Sequence, residues 1–375
     1  MGEDAPRPLS RFTVVELNDA GVPTCLRLAA SLATRIAADL GATVIKVEPP
    51  GGDPVRRLPP LLPRGPDAER SALFQFLNGG KRSVVLDLAA PDGRDAAMAL
   101  AGKADAVVFE APGRMAGTLR EKAPAAIEIA AFAADMDPPQ RPVSEFTIAA
   151  LAGLLHMVGE PDRQPLRLGG HQVSYAAGLT AFTGLTAALA ARSQGRAAPA
   201  VRVALAEVAQ WVNWKAASGA HATGQSPGRE GRQSEFQIVR CADGHVAVVF
   251  TVTQWPPLRD LIGDPRLAEE RFATRAGRRQ HVNALYAILT PWFAGKTRQE
   301  VQHLAQARGV PFGPVYLPAE LLEAEQYRAR GFLAELRHPT LGALRLPRLP
   351  VQWNGGSFAP GIAPALADPL ARAAE

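Results

Sequence analysis

"TVVELNDAGVPTCLRLAASLATRIAADLGATVIKVEPP", residues 13–50, decides the fold. It opens with TVVEL (13–17), a short β-branched run with the pattern of a buried strand. LRLAASLATRIAADLG (26–41) follows, with apolar residues at helical spacing and Gly41 as a C-terminal stop. TVIKVEPP (43–50) is a second strand closed by two prolines. Strand, helix, strand in one short span is a βαβ unit. The alternation recurs with KRSVVLDL (81–88), a helix over 92–104, DAVVFEA (105–111) and AIEIAAF (126–132). This predicts an α/β fold, a parallel sheet flanked by helices.

Residues 145–158 and 175–192 read as two long Ala/Leu helices, with Gly153, Gly178 and Gly184 as points of close packing. AVRVALAE (200–207) is a strand that runs into a helix carrying Trp211 and Trp214. The stretch 218–234 is rich in Gly, Ser and Arg and reads as a linker or mobile loop. A hairpin follows, with Asp243-Gly244 as a type I′ turn signal, then helical segments and extended pieces to residue 347. The expected organisation is a large α/β domain over 1–217, a linker over 218–232, a smaller α+β domain over 233–330, and a segment 331–375 that returns to the large domain.

Composition bounds the function. Hydrophobic residues make up 47% of the 375 and charged residues 21%, an ordinary globular balance. The net charge is +5, with no Lys/Arg cluster interleaved with aromatics, so no nucleic-acid surface is expected. A modest positive bias suits a polyanionic small molecule. Cys25 and Cys241 match no metal or redox spacing and read as reduced thiols of a cytoplasmic protein. The first residues, MGEDAPRPLSRF, lack the apolar core of a leader, and no membrane span is expected. The seven His residues form no HExxH or HxH pair, so no metal site is expected. There is no GxSxG elbow, and the first βα turn lacks the dinucleotide glycine fingerprint.

Three stretches carry candidate chemistry. VEPPGGDPVRR (47–57) joins a strand end to Arg56 and Arg57 through a Gly-Gly turn, and loops at such strand ends are where α/β sheets bind ligands. NGGKRS (78–83) repeats the theme with Asn78, Lys81 and Arg82. Both fit phosphate binding, and both also fit plain surface turns with solvated basic groups. LGGHQVSYAAGL (168–179) breaks from a Gly-Gly turn into a helix with His171, Gln172, Ser174 and Tyr175 at its start and no carboxylate.

AADLGATVIKVEPPGGDPVRR, LNGGKRSVVLDLAAPDGRDAA, LLHMVGEPDRQPLRLGG, RCADGHVAVVF and ARGVPFGPVYLPAELLEAEQYRARGFLAELRHPTLGALRLPRLPVQ resemble the class III CoA-transferases. That family groups formyl-CoA and carnitine CoA-transferases with α-methylacyl-CoA racemases. The resemblance runs from about residue 13 to 353, with the blocks in order. It implies a Rossmann-like large domain built from both chain ends, a small α+β domain, and two subunits interlocked as a dimer. The implied ligand is coenzyme A or an acyl-CoA, not covalently bound, with a carboxylic acid as second substrate. By family position Arg56, Arg57, Asn78, Lys81, Arg82 and Met115 line the CoA cleft.

The sequence departs from the family at several points. Glu110-Ala111 replaces an Asn-Phe pair, Gly117 stands near a missing Arg, Ala29-Ala30-Ser31 replaces an Ala-Gly-Pro turn, and AAFAADMDPPQ replaces a glycine-containing loop. The largest departure is catalytic. The family's nucleophilic Asp falls on Ser174, and the racemase His falls near Ser144, beside Glu145. Several readings follow. The chain binds acyl-CoA with altered chemistry, Ser174 being acylated with His171 as base, while Ser174 as a helix N-cap is the plainer role. Or it is a non-catalytic CoA-binding partner of an active paralogue, in a homodimer or heterodimer. Or a carboxylate from elsewhere, Glu145 or Glu160, does the work. A racemase, lyase or hydrolase activity at the same cleft is the further alternative.

Overall fold

The computed structural model describes residues 7–133 and 143–367. Most of the replaced loop AAFAADMDPPQ lies outside them. Six parallel strands form one sheet: β1 (Thr13–Leu17), β2 (Thr43–Glu48), β3 (Arg82–Val85), β4 (Ala106–Ala111), β5 (Ala126–Ala130) and β6 (Val201–Ala204). Their spatial order is 3-2-1-4-5-6. The order reverses between β1 and β4, where sheets of this kind open a ligand crevice at the carboxyl ends.

Helices α1 (Thr24–Asp39), α2 (Ala72–Asn78), α3 (Pro91–Lys103), α4 (Ala116–Lys122), α5 (Glu145–Leu151), α6 (Gln172–Ser193), α7 (Leu205–Val212) and α8 (Trp214–Thr223) complete this part. Side chains alternate across each strand. Val15, Leu17, Val47, Val107 and Phe109 share an apolar cluster with Ala97 and Ala101 of α3 and Leu119 of α4. The other face is polar and equally buried. Glu16, Lys46 and Glu48 point into it: Glu16 meets Ser31 and Thr34 of α1, Lys46 meets Ser31, and Glu48 meets Ser83. Helix α6 packs outside α1. A Cβ on Gly178 would sit 2.9 Å from Ala29 O and from Leu32 Cβ, so only glycine permits this approach.

The reading of one long helix over 145–158 needs correction. α5 ends at Leu151, because Gly153 takes a left-handed φ of 73° that stops the helix. The stretch expected as a linker from 218 is helical up to Thr223. The hairpin turn also differs. Cys241 pairs with Gly244, so Ala242-Asp243 forms the turn rather than Asp243-Gly244.

The chain divides into two compact units. The first takes in the described residues up to Leu154, Arg167–Gln225 and those from Arg328 on. The second comprises Leu155–Leu166 and Ser226–Tyr327, built on a three-stranded sheet and a core of Phe250, Trp255, Phe272, Phe293 and Phe312. The excursion Leu155–Leu166 was not foreseen from the sequence. In the second unit Arg229 holds it by donating to the carbonyls of His156, Glu160 and Arg163 at 3.0, 3.0 and 3.2 Å.

Candidate active site

The start of α6 is built from two helix ends. Ser144 caps α5: its Oγ accepts from Thr147 N, and its own N–H donates to Thr147 Oγ1. That cap fixes Glu145 as the first residue of α5 and sends its side chain to α6. Gly170, with φ of 72°, turns the chain sharply before His171. His171 is the residue at which α6 begins, and its side chain makes no cap bond. Ser174 is therefore inside the first turn and is not the N-cap, which corrects the plainer of its two roles.

Glu145 supplies the cap from outside the helix. Its Oε1 accepts from Val173 N at 2.7 Å and Ser174 N at 3.4 Å. Its Oε2 accepts from Ser174 Oγ at 2.8 Å and lies 3.2 Å from His171 Nδ1. A carboxylate suits a helix N-terminus, where free N–H groups and the helix dipole favour negative charge. His171 and Ser174, three residues apart on one face, converge on one carboxylate oxygen. Ser174 is fully buried. The Glu145 and His171 side chains are 15% and 34% exposed, so these two are the members that face solvent. Tyr175 stands edge-on to both His171 and Phe76. Burial, and then the Glu145 charge, raise its phenol pKa above the ordinary value. Burial and Glu145 also push the Cys25 thiol up to about 11, so Cys25 stays a thiol. Glu160, the other carboxylate considered, belongs to the second unit and accepts from Arg232 N at 3.0 Å.

The residues assigned to the CoA cleft divide sharply. Arg56 is fully buried, and its guanidinium is bidentate on Glu48 at 2.6 and 2.7 Å. It also donates to Ala68 O and Pro364 O and stacks 3.8 Å over Phe74. Lys81 is buried and donates to Glu16, Ser31 O and Asn78 Oδ1 at 2.7, 2.9 and 2.9 Å. Asn78 is buried, and Met115 packs in the apolar cluster beneath the sheet. Arg56, Lys81 and Asn78 have partners inside the protein, and the Met115 side chain is packed with apolar neighbours. Arg57 and Arg82 are exposed. The two Gly-Gly turns are docking points for the chain's end: Gly80 N donates to Ile362 O at 2.8 Å, and Gly52 lies against Leu366.

Sequence reasoning missed the buried polar layer. Lys46 Nζ lies 2.7 Å from Glu16 and 2.8 Å from Asp53, and Arg27 is 3.6 Å from Asp53. Asn18, which follows β1, donates to Glu110 of β4 across the strand-order switch. The second Glu110 oxygen has no partner among the described residues. Burial pushes the Glu110 carboxyl up to about 7, despite nearby Arg27. The ion pairs do the opposite for Glu16: Lys46 and Lys81 outweigh its burial and hold it well below the usual carboxylate range.

Among the described residues no group of three His, Cys, Asp or Glu side chains converges to hold a metal. Helix α6 is long and apolar enough to cross a membrane by length and composition, yet one face of it is buried against α1.

Residues 22–367 match the model of CoA-transferase family III. The chain is 30% identical over 331 residues to the succinyl-CoA:mesaconate CoA-transferase of Haloarcula marismortui, covering 83% of each chain. It is 30% identical over 330 residues to a protein of Mycobacterium tuberculosis named as a probable fatty acyl-CoA transferase, covering 81% of each. A crystal structure of a CAIB/BAIF family protein from Brucella suis superposes with a TM-score of 0.83 at 27% identity, over 99% of both chains. With its parallel sheet and this match over nearly its whole length, the chain belongs to CoA-transferase family III.

Proposed function

We propose that this protein binds a CoA thioester at the start of α6 and transfers CoA between carboxylic acids through Glu145. The supporting observation is the Glu145 carboxylate, 2.8 Å from the hydroxyl of Ser174, the residue at the family's Asp position. Glu145 is partly exposed while Ser174 is fully buried, so the carboxylate is the group an incoming thioester meets.

The cycle balances without an outside reagent. A Glu145 oxygen attacks the thioester carbonyl, the C–S bond breaks, and CoA leaves as the thiolate from a mixed anhydride. The thiolate attacks the Glu145 carbonyl, giving a glutamyl-CoA thioester and releasing the first acid as its carboxylate. A second carboxylate attacks that thioester, and the thiolate returns to the new acyl carbonyl. Val173 N–H, Ser174 N–H and the α6 dipole stabilise negative charge at the carbonyl oxygens in each step.

Relatives named for succinyl-CoA make succinyl-CoA the first donor to try. Arg57 and Arg82 are the exposed basic groups left for the phosphates of CoA. We read the protein as a cytoplasmic homodimer, or a heterodimer with a paralogue, that binds neither nucleic acid nor membrane. Its exposed Trp211, Val212, Trp214, Phe146 and Leu151 support a second subunit covering this face. The test is isotope exchange of labelled succinate into succinyl-CoA, with calorimetry of CoA binding. Exchange by the wild type and its loss in Glu145→Gln support the reading. CoA binding without exchange favours the non-catalytic partner.

A further inference from the structure

Glu145 is surrounded by donors of two kinds. Val173 N–H, Ser174 N–H and the Ser174 hydroxyl reach it at 2.7, 3.4 and 2.8 Å, from helix backbone and a buried side chain. His171 Nδ1 is the fourth, 3.2 Å from Oε2, on a side chain that is 34% exposed. A carboxylate offers about four lone-pair positions, so these donors fill it. His171 is the one of them that a side-chain rotation can withdraw. A carboxylate only accepts, so Nδ1 carries a proton whether the ring is neutral or charged. The ring therefore gains or loses its charge at Nε2, which points away from Glu145, while the bond to Oε2 persists.

We infer that His171 is a positioning residue that regulates Glu145: as an imidazolium it holds the carboxylate in an ion pair and suppresses its attack on the thioester, and as a neutral imidazole it yields Oε2. This rests on the transfer chemistry proposed above. The attack forms the C–O bond to Oε2, breaks the C–S bond and releases CoA as the thiolate, and no proton moves. His171 acts only through its charge and its bond to Oε2. An imidazolium here faces the positive end of α6, and Glu145 is the anion that compensates it. The stronger, charge-assisted bond makes the carboxylate a poorer nucleophile. The other groups around the pair keep one charge state near neutral pH. Tyr175 of α6 is raised above its ordinary pKa and Cys25 of α1 is pushed up to about 11, so both stay neutral. Arg167, stacked over Phe146 beside Glu145, stays cationic. Imidazole is the side chain that changes charge between about pH 5 and 8.

The test uses the full-length protein and succinyl-CoA. The rate of glutamyl-CoA formation is followed by quenched flow and intact-mass analysis from about pH 5 to 8. His171→Asn puts an amide N–H where Nδ1–H stands and has no proton to gain. The inference expects the wild-type rate to rise about tenfold across that range with KM unchanged. It expects His171→Asn to be level with pH and about tenfold faster than the wild type at the acid end. A wild-type rate that is flat, or that falls as pH rises, overturns it whatever the variant does. A variant that keeps the wild-type profile, or is slowed equally at every pH as a merely structural residue would be, also overturns it. In each of these cases the adduct on Glu145 still forms, and the transfer reading stands. No adduct on Glu145 at any pH overturns the two together.

Discussion

Glu145 Oε2 accepts a hydrogen bond from Ser174 Oγ at 2.8 Å, across a gap of 29 residues in the chain. The resemblance read from the sequence puts the family's nucleophilic carboxylate at residue 174; in this structure a carboxylate from the neighbouring helix lies against that residue. Ser174 then serves as a buried bridge to Glu145. Ser174→Ala removes one hydrogen bond to a charged group, which costs about 1–3 kcal/mol of stability. It leaves the glutamyl adduct in place. Thermal unfolding and intact-mass analysis after succinyl-CoA treatment check both halves, and loss of the adduct contradicts the bridging role.

Glu110 gives a pH signature. Its folded pKa of about 7 lies above the unfolded value of 4.5. Between these values the folded chain holds a proton that the unfolded chain has released. Stability is therefore full below pH 4.5 and declines as pH rises through 7, by about 3 kcal/mol in all. Glu110→Gln keeps an acceptor for Asn18 and has no charge to bury. The variant is expected to match the wild type at pH 4 and exceed it at pH 8. Equal slopes in urea unfolding across that range contradict the assignment.

The polar layer beneath α1 holds together as a set. Lys46 touches Glu16 and Asp53 with both partners fully buried. Lys46→Met leaves Glu16 to Lys81 and Asp53 to Arg27 at 3.6 Å, removing the cation the two carboxylates share, and is expected to cost about 3–5 kcal/mol. Calorimetric unfolding measures it, and a cost below 1 kcal/mol would show that the layer opens to water.

Two helical glycines should respond with opposite signs. Gly178→Ala meets Ala29 O and Leu32 at 2.9 Å, and overpacking of that kind costs about 1–3 kcal/mol. Gly117 in α4 is exposed, and a Cβ there meets nothing within 4 Å. Gly117→Ala is expected to stabilise by about 0.5–1 kcal/mol. Paired melting curves decide the matter; a stabilised Gly178→Ala would mean that α6 does not approach α1 this closely.

The sheet was legible because its strands are short runs with β-branched residues separated by helical spacing. The site was legible in part. The residues 168–179 hold His171 and Ser174, and Glu145, 26 residues before His171, meets both from the start of the helix that Ser144 caps. Arg56 and Lys81 look like exposed turn cations in the sequence, whereas each is paired with a buried acid on a strand. The signal was present: TVVEL and TVIKVE carry charges inside otherwise apolar strands, and a buried charge requires a partner. Sequence alone does not say which basic residue that partner is.

The most direct measurement is peptide mapping of the adduct formed with succinyl-CoA. Protein is treated with succinyl-CoA, quenched, digested and analysed by mass spectrometry, with Glu145→Gln and Ser174→Ala in parallel. The account predicts a CoA thioester on the peptide containing Glu145, present in Ser174→Ala and absent in Glu145→Gln. An acyl group on Ser174, or an adduct that survives Glu145→Gln, would contradict it.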